Sequence, residues 1–188
     1  NFGKTAMRAL IKAHLATLTV ILAVAGPARA DEISDTIQSA LEAYTAGDVQ
    51  FAAEELAYAQ QLMQQRKTDA LTGFLPEAPE GWTRTVDTEM TAGLAMMGGG
   101  TGTEARYENG DQSFKITLMA DNPMVASMAA MLGNPAVMGQ MGKVIRVGRQ
   151  KFVDQDGALS ALIGNRVLVQ AEGAPVGVML PVLERIDF

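Results

Sequence analysis

The spacing of apolar residues changes at Trp82, and this change indicates the fold class. From Asp31 to about Thr72, apolar residues recur every three or four positions, as on one side of a helix. After Trp82, apolar and polar residues alternate, and dipeptides typical of tight turns appear at short intervals. The chain is therefore predicted to join a helical part to an antiparallel sheet, an α+β fold.

Two helices are predicted in the first part. The first has an apolar stripe at Ile33, Ile37, Ala40, Leu41 and Tyr44. Gly47 supplies the left-handed residue that commonly ends a helix, and Asp48 caps the next helix, which begins at Val49. The second stripe is Ala52, Leu56, Ala59 and Met63. Because the connection is short, the two helices are expected to form an antiparallel hairpin.

Two family resemblances are visible. Residues 40–59 resemble one tetratricopeptide hairpin, through Ala40, Gly47, Ala52, Leu56 and Ala59. No second copy follows, so the peptide-binding groove of such arrays is not implied. The chain after residue 30 also resembles a group of exported proteobacterial proteins with no assigned activity, through Gly81-Trp82, Gly98-Gly99-Gly100 and the segment GNRVLVQ at 164–170.

Four segments are expected: a signal peptide at 1–30, an acidic helical hairpin at 31–75, a Pro/Gly linker at 76–82 and an α+β domain at 83–188. In the last, the turn dipeptides are Asn109-Gly110, Asp156-Gly157 and Gly164-Asn165. Asn122-Pro123 and Asn134-Pro135 each begin a short helix, and Pro175 to Ile186 is a closing helix. We expect one antiparallel sheet with helices packed on one face, and Trp82 inserted into its core.

Residues 1–30 have the pattern of a cleavable secretory signal. They hold four basic residues and no acid, an apolar run from Leu15 to Ala25, and small residues at Ala28 and Ala30. The run is shorter than the roughly 20 residues that span a bilayer, so no transmembrane anchor is expected. Cleavage after Ala30 would deliver the protein to the periplasm.

After residue 30 the chain has neither histidine nor cysteine, because its one histidine is His14. Ser-His-Asp and Cys-His nucleophilic sites are therefore excluded, as are zinc, haem and iron–sulfur sites built on these side chains. The same region has 21 acidic and 11 basic residues, a balance that disfavours nucleic acid as a partner. A hydrolase that uses two carboxylates stays open, but no motif selects the pair.

Methionines cluster between residues 119 and 141. Thioether sulfur is a soft ligand that selects Cu(I), which makes a Cu(I) site conceivable at Met124, Met128, Met131, Met138 and Met141. The competing interpretation is that this stripe is the buried face of a helix, since methionine fills irregular apolar gaps.

Four basic residues lie within nine positions, at Lys143, Arg146, Arg149 and Lys151. They could contact an anion or an acidic partner. Alternatively, they belong to an edge strand that charge protects from unwanted pairing. The glycine-rich segment Gly93–Gly102 is expected to be a flexible loop, and the sequence leaves its role open.

Taken together, these patterns predict a non-enzymatic periplasmic protein that binds a partner or serves as an envelope accessory, with another envelope protein as the partner. The alternative is a Cu(I)-binding or Cu(I)-buffering protein. The identity of the partner and the oligomeric state are not encoded in any recognisable motif.

Overall fold

The computed structural model describes residues 31–187, so the predicted signal peptide lies outside the described part. Within it the helices are α1 (Glu32–Thr45), α2 (Val49–Thr72), α3 (Met90–Met96), α4 (Pro123–Leu132), α5 (Pro135–Met141) and α6 (Val176–Leu183). The strands are β1 (Thr83–Asp87), β2 (Thr101–Asn109), β3 (Gln112–Ala120), β4 (Lys143–Val147), β5 (Gln150–Gln155), β6 (Ala158–Ile163) and β7 (Val167–Glu172). No helix in this range is long and apolar enough to cross a membrane.

All seven strands form one antiparallel sheet in the order β1-β2-β3-β7-β6-β5-β4. Two meanders, β1 to β3 and β4 to β7, meet where β3 pairs with β7. The β2–β3 hairpin closes with Asn109 opposite Gln112, one residue later than the predicted Asn109-Gly110 turn. The α+β class and the helical hairpin are confirmed.

Helices cover both faces of the sheet, whereas the sequence led us to expect one. On β7, Val169 contributes to a core with Met179 and Leu183 of α6. The preceding residue, Leu168, belongs to a second core with Val125 of α4 and Met138 of α5. Adjacent strand residues point to opposite faces, so α6 lies on one face and α4 and α5 on the other. Both faces of the central strands are apolar, which is why both need cover.

The segment predicted as a linker is held against the sheet. Leu75, the residue just before it, is 4% exposed and belongs to the same core as α6, and Pro76 is buried as well. The Tyr107 hydroxyl donates a 2.6 Å hydrogen bond to the carbonyl of Pro76, and Arg84 donates to the carbonyls of Leu75 and Pro76. Trp82 packs edge-on to Phe114 with ring centroids 5.3 Å apart, but it is only partly buried and lies against the core, so the predicted insertion is incomplete. Residues from Glu32 onward form one compact unit.

The glycine-rich segment is a loop only in its middle part, whereas a loop was predicted for all of it. Gly93 lies inside α3, and Gly102 lies inside β2. Gly98, Gly99 and Gly100 connect the two elements with φ values of 99°, 92° and 118°. Only glycine adopts three such values in succession without steric cost, so the run has a conformational reason.

Candidate functional site: an exposed apolar face on the helical hairpin

Small side chains form the contact between α1 and α2. Thr36, Ala40 and Ala43 are buried on α1, and Ala52 and Ala59 are buried on α2. Gly47, with a φ of 87°, and the Asp48 cap on the backbone N–H of Phe51 make the turn between the helices. Small contact residues allow the helices to approach closely, which leaves no room between them for larger side chains.

The large apolar residues of α1 are consequently not covered. Ile37, Leu41 and Tyr44 are 44%, 54% and 64% exposed. Of the predicted stripe, Ala40 is buried and Ile33 is half-buried, whereas the other three members stay at the surface. Since successive residues are 100° apart around a helix, these three side chains form one stripe, which lies next to the stripe of buried contact residues.

A matching stripe runs along α2. Val49, Leu56 and Met63 recur every seven residues and are 61%, 49% and 40% exposed. The seven-residue repeat keeps them in line on one side of Ala52 and Ala59. Of the predicted α2 stripe, only the two alanines are buried.

The two stripes lie side by side. On α1, Glu32 and Ile37 lie on opposite sides of the buried contact residues. On α2, Tyr58 and Leu56 likewise lie on opposite sides of the buried alanines. The Tyr58 hydroxyl hydrogen-bonds to Glu32 at 2.8 Å, so those two sides coincide. The side of α1 with Ile37 and the side of α2 with Leu56 must therefore also lie on the same face of the hairpin. We call this surface the hairpin face. It consists of Ile37, Leu41, Tyr44, Val49, Leu56 and Met63.

Charge is one-sided on this part of the chain. Residues 31–63 contain seven acidic side chains and no basic one. On α1, Asp35 and Glu42 project from the side that carries Glu32, away from the hairpin face. The bond from Tyr58 to Glu32 raises the pKa of the Tyr58 hydroxyl, because the carboxylate favours the protonated phenol. The hairpin face is thus uncharged, on an appendage that is negative overall.

The C-terminal half of α2 fastens the hairpin to the sheet. Gln64 donates hydrogen bonds to the Gly100 carbonyl at 2.7 Å and to the Thr101 hydroxyl at 2.9 Å. One turn further along α2, the hydroxyls of Thr68 and Thr91 share a hydrogen bond. After a second turn, the Thr72 hydroxyl donates a hydrogen bond to the Thr103 hydroxyl. Leu71 completes this attachment by entering the sheet core.

A groove opens where α2 leaves the sheet, and we call it the base groove. It has a volume of about 470 Å³ and is lined by Ala70, Leu71 and Phe74 with Ile163 and Val167 of the sheet. A smaller inner part of about 120 Å³, reaching Leu118, exposes only apolar atoms. Ala70 continues the seven-residue series of α2, so the hairpin face leads towards the groove.

Three charged residues stand at the mouth of the base groove. Arg166 Nη2 donates to Asp121 Oδ1 at 2.9 Å, and Lys67 Nζ lies 3.7 Å from Asp121 Oδ2. The hydrogen bond from Arg166 is the main reason that the pKa of Asp121 lies below its usual value. Asp121 itself has a positive φ of 53°. No sequence pattern predicted this cluster, since its members are far apart along the chain.

The predicted Cu(I) ligands are divided between core and surface. Met138 is buried in the core under α4 and α5, and Met128 and Met141 pack partly buried against the same core. Met124 and Met131 are 47% and 42% exposed. The buried face of α4 is formed by Val125 and Leu132 instead of the predicted methionine stripe.

Two further methionines, which the sequence reasoning did not select, are exposed. Met96 and Met97 at the end of α3 are 91% and 66% exposed. A Cβ atom at Gly98 would lie 3.2 Å from Pro123, so the end of α3 adjoins the start of α4 and Met124. Within residues 31–187, no group of three or more His, Cys, Asp or Glu side chains is arranged to hold a metal ion.

The basic cluster lies at the far edge of the sheet. β4, which carries Lys143 and Arg146, is the last strand in the sheet order, and Arg146 pairs with Lys151 of β5. Arg149 lies in the turn between these strands, and all four side chains are exposed. The edge-strand interpretation therefore agrees with their position, and the contact role stays a prediction.

Comparison with known proteins returned no matching family model, no matching curated protein and no matching solved structure. The two resemblances noted from the sequence stay predictions. The surfaces of the protein itself are therefore the guide to its function.

Proposed function

We propose that this protein is a non-enzymatic periplasmic partner-binding protein, an envelope accessory, and that the hairpin face is its docking surface. The observation that carries the proposal is the exposure of six large apolar side chains, 40–64% each, on one uncharged surface of two adjacent helices. Contiguous apolar surface of this kind is costly to leave in water and is typical of interaction sites.

The geometry of the hairpin face favours a helical partner. Its two stripes run antiparallel along α1 and α2, with the row of small contact residues between them. An amphipathic helix can lay its apolar side into such a shallow groove and add a third helix to the pair. The seven-residue spacing on α2 matches the repeat that packs helices side by side.

Charge decides which kind of helix fits. The seven acidic residues of 31–63 have no basic counterpart in that segment, so a partner helix flanked by lysine or arginine is attracted and one flanked by acids is repelled. A second copy of this chain would bring two negative hairpins together. We therefore assign the surface to an amphipathic helix with basic flanks, carried by another envelope protein.

Two synthetic peptides test the assignment. Both carry leucine at the same helical positions, and one has lysine while the other has glutamate at the flanks. We expect the lysine peptide to bind the protein at least about tenfold more tightly in titration calorimetry, and the difference to shrink as salt screens the charges. Binding of both peptides with equal affinity would refute the charge argument.

Self-association is the other outcome to measure. Sedimentation of the protein alone should give a monomer at micromolar concentration. A dimer that the substitution Leu41→Gln dissociates would identify a second copy as the occupant of the hairpin face, against the proposal. Deletion of residues 31–75 is not a suitable test, because Leu71 and Leu75 belong to the sheet core.

Cu(I) binding is the second candidate function, and the exposed sulfurs of Met96, Met97, Met124 and Met131 are the observation in its favour. Titration with Ag(I), a stand-in for Cu(I), should perturb the methyl signals of these four residues and leave buried Met138 unchanged. Saturation only at millimolar Ag(I) would remove this candidate.

A further inference from the structure

The base groove separates an apolar interior from a charged mouth. In its inner part, between Leu118, Ile163 and Val167, every exposed atom is apolar. No buried side-chain nitrogen or oxygen in residues 31–187 lacks a hydrogen-bond partner. The occupant of the interior is therefore expected to be apolar, because a polar group placed there would lose its hydrogen bonds to water.

The mouth sets the charge of the occupant. Lys67 and Arg166 are positive and Asp121 is negative, which leaves one net positive charge. The side chains of Lys67 and Arg166 are 58% and 74% exposed, so both can turn towards a bound group. A head group with a single negative charge balances this cluster, whereas a cationic head group would face two like charges.

We propose that the base groove binds a straight-chain fatty acid, with the aliphatic chain against Leu118, Ile163 and Val167 and the carboxylate at Lys67 and Arg166. Phe74, which is 50% exposed at the opening, covers the chain once it is bound. The volume of about 470 Å³ lies within the range of about 300–1,000 Å³ that is typical of small-ligand sites. This ligand site is independent of the helical partner assigned to the hairpin face.

Calorimetry with dodecanoate and with dodecyltrimethylammonium, both below their micelle concentrations, tests the charge of the head group. The expected result is saturable binding of dodecanoate at least about tenfold tighter than binding of the cation. Methyl NMR locates the ligand, and the shifts should concentrate on Leu118, Ile163 and Val167. Equal or tighter binding of the cation, or shifts elsewhere, would overturn the proposal.

Substitutions in the groove complete the test. Ala70 is exposed and lines the groove, so Ala70→Trp should fold and block the mouth, with dodecanoate binding lost. Ala57→Trp, at an exposed position of the same helix away from the groove, is the matched control and should bind as the wild type. The pair Lys67→Gln with Arg166→Gln should cost about tenfold in affinity. Undiminished binding by Ala70→Trp would place the ligand outside the groove.

Discussion

Replacing Leu41 and Leu56 together by glutamine should weaken partner binding strongly while leaving the hairpin folded. These residues lie on α1 and α2 of the hairpin face and are 54% and 49% exposed. Glutamine has nearly the same helix propensity as leucine, so the helices themselves are not penalised. The substitution replaces the terminal methyl groups of each leucine by a polar amide that extends one atom further.

The expected magnitude follows from the exposed fractions. Complete burial of a leucine side chain is worth about 1.5–3 kcal/mol, and about half of each side chain remains to be covered by a partner. Each residue then contributes about 1 kcal/mol to docking, and the pair about 2 kcal/mol. At about 1.4 kcal/mol per tenfold change, the dissociation constant should rise roughly thirtyfold.

The assay is titration of the double variant with the lysine-flanked peptide, alongside urea unfolding of the variant protein. Phe51→Gln is the control, since Phe51 is 44% exposed on the opposite side of the same hairpin. The control should change peptide affinity by less than about twofold. An equal loss in the control, or an unchanged affinity in the double variant, would refute docking at the hairpin face.

Two further predictions concern the buried tyrosine and the mouth of the groove. Tyr107→Phe removes the 2.6 Å hydrogen bond to the Pro76 carbonyl, but Arg84 still donates a hydrogen bond to that oxygen. The free energy of unfolding, measured in urea, should therefore fall by about 1 kcal/mol and by no more than about 3 kcal/mol. Burial raises the pKa of Tyr107 from 10.0 to about 12, so the folded protein favours the neutral phenol more than the unfolded chain does. The free energy of unfolding should therefore decrease as the pH rises from 10.0 to about 12. Absorbance at 295 nm follows the ionisation of the phenol, and circular dichroism follows the unfolding. Asp121→Asn keeps a residue type that tolerates positive φ but loses the ion pair with Arg166. Because the pKa of Asp121 is lowered in the folded protein, the wild type should be more stable than the variant at pH 7, by no more than about 1 kcal/mol. This difference in the free energy of unfolding should vanish as the pH falls below 3.8, where the carboxylate becomes protonated. A difference that persists at low pH would refute the assigned ion pair.

Prediction of the elements from the sequence succeeded where the signals are local. The cap at Asp48, the turn at Gly47 and the Asn-Pro starts of α4 and α5 are found at the predicted positions. Each depends on hydrogen bonds or backbone angles within a few residues, which neighbouring residue types determine. The missed helix α3 has no side-chain cap and is followed by three glycines, so such signals were lacking there.

The candidate site was predictable only in part. Every residue of the hairpin face except Val49 belongs to a predicted apolar stripe, but the pattern did not show which members of each stripe the helix contact would bury. The alanines at 40, 43, 52 and 59 were the available signal, because a close Ala contact leaves larger neighbours outside it. The base groove had no signal at all, since Lys67, Asp121 and Arg166 come from three distant segments.

The sequence by itself determined the period of each segment, the turns, and the absence of histidine and cysteine after residue 30, since all of these are local or compositional properties. Only the tertiary structure decided which side of each helix is covered. Periodicity places apolar residues on one side of a helix, but whether that side is buried depends on what packs against it, and here the α1–α2 contact falls on the alanines. That choice leaves the hairpin face exposed, which is the basis of the docking role we propose for it.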